Sequence, residues 1–285
     1  MEKIVKHITE TIHTEILNIS SISGGDISLA YALESKSQKY FLKVNVKSFA
    51  KNMFQAEWRS LQAIEETKTI AVPHAYLVDE VAGKSFLLMD FIESRRPNAK
   101  DFKHLGRDLA KLHLTTDSKF GFSSDNFIGS LPQSNSRHTD WAEFYWNERI
   151  APQLTIAVKN EMLLENQIPE KETALKIFLQ VFGDVTPAFL HGDLWGGNYL
   201  ISSSGIPYLI DPAVYFGHSM VDIAMTKLFG GFDTEFYDSY HEIIPKPDLF
   251  HEQIELYRLY YLLVHLNLFG KSYRSSVVSI LEKFF

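Results

Sequence analysis

The chain has no cysteine among its 285 residues, so a disulfide framework, a thiolate nucleophile and a cysteine-based metal site are all excluded. It has no excess of positive charge either. Its 28 lysines and arginines stand against 35 aspartates and glutamates, and the net charge of −7 argues against a protein that tracks nucleic-acid phosphates. No uninterrupted apolar run approaches the ~18 residues that a membrane span needs. The N-terminal MEKIVKHITETIHTEI carries charges throughout and has no apolar stretch of the signal-peptide kind. A soluble, cytoplasmic protein with neither a nucleic-acid nor a membrane partner is expected. Internal repeats, GxxxxGK[ST], HExxH, GxSxG and a dinucleotide fingerprint are also missing, which removes P-loop, zincin, serine-hydrolase and Rossmann readings.

What is present is apolar. Hydrophobic residues make up 45% of the chain and aromatic ones 13%, enough to bury a sizeable core in one large domain or two lobes. Ile4, Ile8 and Ile12 recur at helical spacing. Three strand-like runs follow, EILNISS, DISLAYALE and KYFLKVN, separated by Gly24-Gly25 and by Ser35-Lys36-Ser37-Gln38, which read as hairpin turns. FAKNMFQAEWRSLQAIEE places Met53, Glu57, Leu61 and Ile64 on one side of a helix, and AYLVDE and SFLLMDFI read as two more strands. Residues 1–92 therefore form a small antiparallel sheet with a crossing helix. The polar break Glu93-Ser94-Arg95-Arg96-Pro97 marks a hinge, and residues 93–285 are mainly helical, with 115–138 a polar loop. The expected architecture is α+β and two-lobed.

FLHGDLWGGNYL, residues 189–200, carries the sharpest chemical signal. His191, Asp193 and Asn198 have the spacing His-x-Asp-x-x-x-x-Asn, a catalytic-loop pattern for phosphoryl transfer. In that pattern the aspartate takes or orients the attacking hydroxyl's proton and the asparagine oxygen holds magnesium. The following NYLISSSGIPYLIDPA reads as a hairpin that returns Asp211 to the vicinity of Asn198, and its carboxylate is the stronger metal ligand. Lys43 shares a strand face with Phe41, while Leu42 and Val44 share the other. A carboxylate at Glu57, on an apolar helix stripe, is costly unless paired, and Lys43 is the natural partner. Such a pair sets the lysine on the α- and β-phosphates of a nucleotide. Gly24 and Gly25 stand where a phosphate-covering loop would sit, and Met89, Asp90 and Phe91 can offer main-chain groups to an adenine. Asp222 either bonds the catalytic loop's backbone or caps its own helix. Trp195 either stacks on a substrate or is core. His265 and Asn267 are either satisfied core groups or part of a substrate floor.

LHGDLWGGN, IDPAVYFGHSMVDIAM, LFGGF, HLNLFG and the middle segment GFSSDNFIGSLPQSN resemble the fructosamine kinases, or ketosamine-3-kinases, over nearly the whole chain. That family is similar in fold to aminoglycoside phosphotransferases, choline kinases and protein kinases. The resemblance implies ATP- and Mg2+-dependent phosphorylation of the 3-hydroxyl of a fructosamine or ribulosamine, free or on a glycated amino acid or protein. It implies a deglycation or repair activity, with Asp193 as base, Asn198 and Asp211 as magnesium ligands, Lys43 on the phosphates and Glu57 orienting it. Two positions depart from the family pattern: Gly196 stands where serine is usual, and Asp26 where some relatives carry a cysteine. An aminoglycoside or choline kinase, and a nucleotide-binding pseudokinase scaffold, are the competing readings.

Overall fold

The structure, a computed structural model, describes residues 1–22 and 28–285; Gly24, Gly25 and Asp26 lie outside the described residues. The chain opens with α1 (Glu2–Ile12), followed by β1 (Ile16–Ile22), β2 (Leu29–Ser35), β3 (Lys39–Asn45), α2 (Ala50–Thr67), β4 (Ala75–Val81) and β5 (Lys84–Asp90). The strands form one antiparallel five-stranded sheet in the order β1-β2-β3-β5-β4. Strand alternation splits its side chains between two faces. Tyr40, Leu42 and Val44 pack with Phe86 and Leu88 against Ile4 and Ile8 of α1. Phe41, Leu87 and Met89 point the other way, toward Met53, Leu61 and Ile64 of α2. Burying each of these large side chains contributes about 1.5–3 kcal/mol. Lys43 follows Phe41 on the α2 side, as the alternation predicts.

The polar break is not a free linker. Residues Ser94–Arg95 form β6, which pairs with a strand of the second lobe. Both Arg95 Nη atoms then donate to Asp101, at 2.6 and 2.9 Å. Asn98 caps α3 (Ala99–His113) in a capping box with Asp101. The expected loop 115–138 contains a hairpin, β7 (Asn126–Ile128) and β8 (Leu131–Gln133). Side-chain amides order it instead of apolar periodicity: Gln133 Nε2 donates to Asn126 Oδ1 at 2.7 Å, and Asn126 Nδ2 to Val214 O at 2.9 Å.

Then come α4 (Trp141–Phe144), a wide π turn over Tyr145–Ile150, α5 (Ala151–Lys159) and α6 (Lys171–Phe182). The short strands β9 (Ala188–Leu190), β10 (Tyr199–Ser202), β11 (Pro207–Leu209) and β12 (Tyr215–Gly217) carry the chain through the motif. The helices α7 (Met220–Phe229), α8 (Thr234–His241), α9 (Phe250–Phe269) and α10 (Arg274–Phe284) complete it. β10 pairs with both β11 and β6. Ala71, just after α2, bridges to Tyr208, and Leu209 N donates to Ala71 O at 2.9 Å. The hairpin is thus tied to the segment before α3 through β6 and to the first lobe through Ala71. No helix among the described residues is long and apolar enough to cross a membrane.

Candidate active site

Two lobes converge on the junction of β3, α2 and the β10–β11 hairpin. Lys43 Nζ donates to Glu57 Oε1 at 2.6 Å and also to Asp211 Oδ1. The side chains of Lys43 and Glu57 keep only 15% and 13% of their surface exposed, so this is a desolvated ion pair, whereas Asp211 keeps 44% and faces open space. Burial works against the Lys43 charge, but Asp211 and Glu57 outweigh it and raise the ammonium's pKa. Two carboxylates share that one cation. Burial, reinforced by the Asp211 charge, pushes the Glu57 carboxyl above its ordinary range.

Asp211 reaches Lys43 because the hairpin delivers it there. Tyr199 pairs with Leu209, and Ile210 N donates to Asn198 O at 3.0 Å. Asp211 itself has φ 54°, a left-handed conformation that aspartate tolerates better than most residues. Asn198 is buried, and its Nδ2 donates to Asp193 O at 2.8 Å and to Asp193 Oδ2 at 3.4 Å. That leaves the Asn198 Oδ1 as the group available to a cation. Among the described residues no cluster of three or more His, Cys, Asp or Glu could hold a metal. The pair Asn198 and Asp211 nevertheless suits magnesium, which takes one or two protein oxygens and fills its shell with phosphates and water.

Asp193 lies on the loop after β9. Burial, then the charges of Asp211 and Asp222, push its carboxyl up to about 7. The loop is held from beneath. Asp222 does not cap α7; it accepts from His191 N at 2.8 Å and Gly192 N at 2.9 Å. His113 Nε2 donates to Asp222 at 3.1 Å, with the Tyr240 hydroxyl 2.8 Å from its Nδ1. Burial pushes the Asp222 carboxyl up, but these donors, led by His113, bring it below the ordinary carboxylate range. Asp193 N donates to His191 Nδ1 at 3.2 Å, so His191 donates through Nε2 to Ile210 O, 2.9 Å away. His191 is thus a neutral strut, its pKa lowered chiefly by burial. Tyr261 adds a hydrogen bond to Gly192 O at 2.9 Å. Gly192 has to be glycine: at φ 85° a Cβ would stand 2.1 Å from Ala213 O. The motif signals His191, but nothing in the spacing of His113, Tyr240 or Tyr261 marks them.

Asp222→Asn offers one acceptor where two amides need one each, and turns an N–H group toward donors. A loss of about 2–3 kcal/mol in a denaturant titration is expected, together with a kcat about tenfold lower at unchanged nucleotide KM. An unchanged midpoint would contradict this role.

Trp195 is 41% exposed, so it is not core. Its ring covers Gly197, where a Cβ would come within 2.4 Å of it. Gly196 packs on a second glycine pair: a Cβ there would meet Gly230 O at 3.1 Å and Gly231 Cα at 3.2 Å. A serine at 196 needs a shift of a few tenths of an ångström, and the glycine removes none of the polar groups above. Met89 is buried in the sheet, Asp90 N donates to His74 O at 2.9 Å and Phe91 N to Lys39 O at 3.4 Å. Asp90 and Phe91 therefore have main-chain carbonyls, not amides, to offer an adenine. His265 bonds Tyr261 O at 2.7 Å and stacks near Phe229, while Asn267 Nδ2 donates to Gln153 O at 2.9 Å.

A sheet lobe over a helical lobe, with a paired lysine and converging oxygen groups at the junction, is the architecture of a kinase-like phosphotransferase. The spectinomycin phosphotransferase crystallised with ADP and spectinomycin shares this fold, with a TM-score of 0.61 at 14% identity over 100% of this chain and 94% of that one. The particular family follows from closer similarity. The family model for fructosamine kinase matches residues 1–285, and the chain belongs to that family. It is 37% identical to the chloroplastic protein-ribulosamine 3-kinase of Arabidopsis thaliana over 97% of this chain and 85% of that one. A Haemophilus somnus crystal structure bearing the fructosamine-3-kinase name superposes with a TM-score of 0.89 at 27% identity, covering 100% of this chain and 97% of that one.

Proposed function

We propose that the protein transfers the γ-phosphoryl group of ATP, with Mg2+, to the 3-hydroxyl of a fructosamine or ribulosamine, as a deglycation or repair activity. The observation that carries this reading is the Lys43 ammonium bonded at once to Glu57 and Asp211, with Asp211 close enough to Asp193 for its charge to raise that carboxyl's pKa. Lys43 binds the α- and β-phosphates and Glu57 fixes its rotamer. Asn198 and Asp211 hold the magnesium ion, which supplies neutralising charge to the phosphates. Asp193 orients the sugar hydroxyl and accepts its proton as the new O–P bond forms and the bond to the β-phosphate oxygen breaks, leaving ADP. With its pKa near 7, Asp193 is close to the working range of a general base. Residues 89–91 border the adenine, and Trp195 supports the sugar.

The test is ADP release with Mg·ATP against ribuloselysine, fructoselysine and an unmodified amino sugar. The ketoamines are expected to exceed the amino sugar by about 100-fold or more in kcat/KM. Preferred turnover of the amino sugar would move the protein to the antibiotic-kinase reading, and nucleotide binding without turnover to the scaffold reading.

A further inference from the structure

A groove of about 660 Å3 runs between the C-terminal end of α7, α9 from its start to Leu262 and the first two turns of α10. None of the groups assigned above to phosphoryl transfer lines it. Its floor is apolar, with Leu228, Ile254, Leu262 and Ile280, and its polar lining sets the cations Lys227 and Arg258 among His251, Glu255 and three serines.

Neither cation is neutralised. The Lys227 ammonium is half-buried, 3.6 Å from the centroid of the Tyr237 ring. Arg258 donates from Nη2 to the main-chain oxygen of Lys227 at 2.8 Å, and its Nε is buried with no partner. Lys246 adds a third positive charge nearby, and burial followed by repulsion from Lys246 and Arg258 lowers the Lys227 pKa. Glu255, the carboxylate in the lining, is bound to Lys283. Partly buried charges are ordinarily paired. The first turn of α10 adds to the imbalance: Ser275 and Ser276 line the groove, and that turn has neither a side-chain cap nor an acidic residue. A 3-10 turn, Lys271–Tyr273, runs straight into α10 and Arg274 N already donates to Lys271 O, so this turn offers the groove its serine hydroxyls and the positive end of the helix dipole.

We propose that this groove is a second ligand site, which takes a phosphate group borne on an apolar or uncharged body. The Arg258 guanidinium and the Lys227 ammonium neutralise the phosphate, the serine hydroxyls complete its hydrogen bonds, and the aliphatic floor receives the rest of the molecule. This site does not depend on the proposed transfer reaction.

Calorimetric titration with inorganic phosphate and with phenyl phosphate tests it. Phenyl phosphate is expected to bind more tightly than inorganic phosphate, because only it covers the floor. Arg258→Gln is expected to weaken both by about tenfold or more, while Lys43→Met, which removes the cleft's phosphate-facing cation, leaves them within about threefold. Ser276→Asp supplies a built-in counter-charge. It is expected to abolish binding and to raise the melting temperature in phosphate-free buffer, a result that misfolding cannot produce. The absence of saturable binding by wild-type protein overturns the site, as does binding that survives both Arg258→Gln and Ser276→Asp, or binding lost only in Lys43→Met.

Discussion

Asp193→Asn is expected to lower kcat by about 10³-fold, within the 10²–10⁴ range of a positioned general base, while nucleotide affinity stays within about threefold. The second half of the expectation concerns stability. The folded-state pKa of Asp193 is raised to about 7. A carboxyl raised in the folded state contributes stability below its unfolded pKa and loses it as pH rises through the folded value. At pH 8 the wild-type protein therefore holds a costly charge that asparagine does not. In metal-free buffer the variant is expected to melt at a higher temperature than wild type at pH 8, and the gap is expected to narrow markedly by about pH 5 and to close only below about pH 4. Steady-state kinetics and thermal melts at these pH values check this. A variant that keeps a tenth of the activity would remove Asp193 from the role of base.

Lys43→Met is expected to act in the opposite sense on stability. It leaves Glu57 and Asp211 together without their cation, and breaking a buried pair in this way costs about 3–5 kcal/mol. Because Asp211 is open to solvent, the lower end of that range applies at pH 8. Burial already holds the Glu57 carboxyl above its ordinary range in the presence of the lysine, and without that cation it lies higher still. Acidification then protonates Glu57 in the folded protein, so the deficit is expected to shrink between pH 8 and pH 5. A double variant, Lys43→Met with Glu57→Gln, is expected to recover most of the stability and none of the activity. The kcat/KM for ATP is expected to fall by about 10²–10³, the effect of deleting one electrostatic donor. A pH-independent deficit would mean that the pair is not the buried charge described.

Lys43, Glu57 and Asp211 were legible because each follows from a local rule. Strand alternation set Lys43 beside Phe41, helical spacing put Glu57 on an apolar stripe where a carboxylate needs a partner, and a hairpin brought Asp211 back to Asn198. The support beneath the loop obeys no local rule. Asp222 and His113 lie 109 residues apart, and only tertiary packing brings them into contact. The segment 115–138 reads as a loop because its order comes from buried amides and from Arg149, whose guanidinium bonds Ser134 O and Asn135 Oδ1. Neither contact leaves a hydrophobic period in the sequence. α8 is short, and nothing in TEFYDSYH separates it from the polar turns around it.

The stitching of the β10–β11 hairpin has a mechanical consequence. Ser94 and Arg95 fasten it on one side and Ala71 on the other, while Asn198 ties its root to Asp193. Swinging the lobes apart on residues 93–97 would have to strain the pairing of β6 with β10 and the Ala71 contact. Asp193 and Asp211 are joined through Asn198 within one lobe, whereas Lys43 reaches Asp211 from the other.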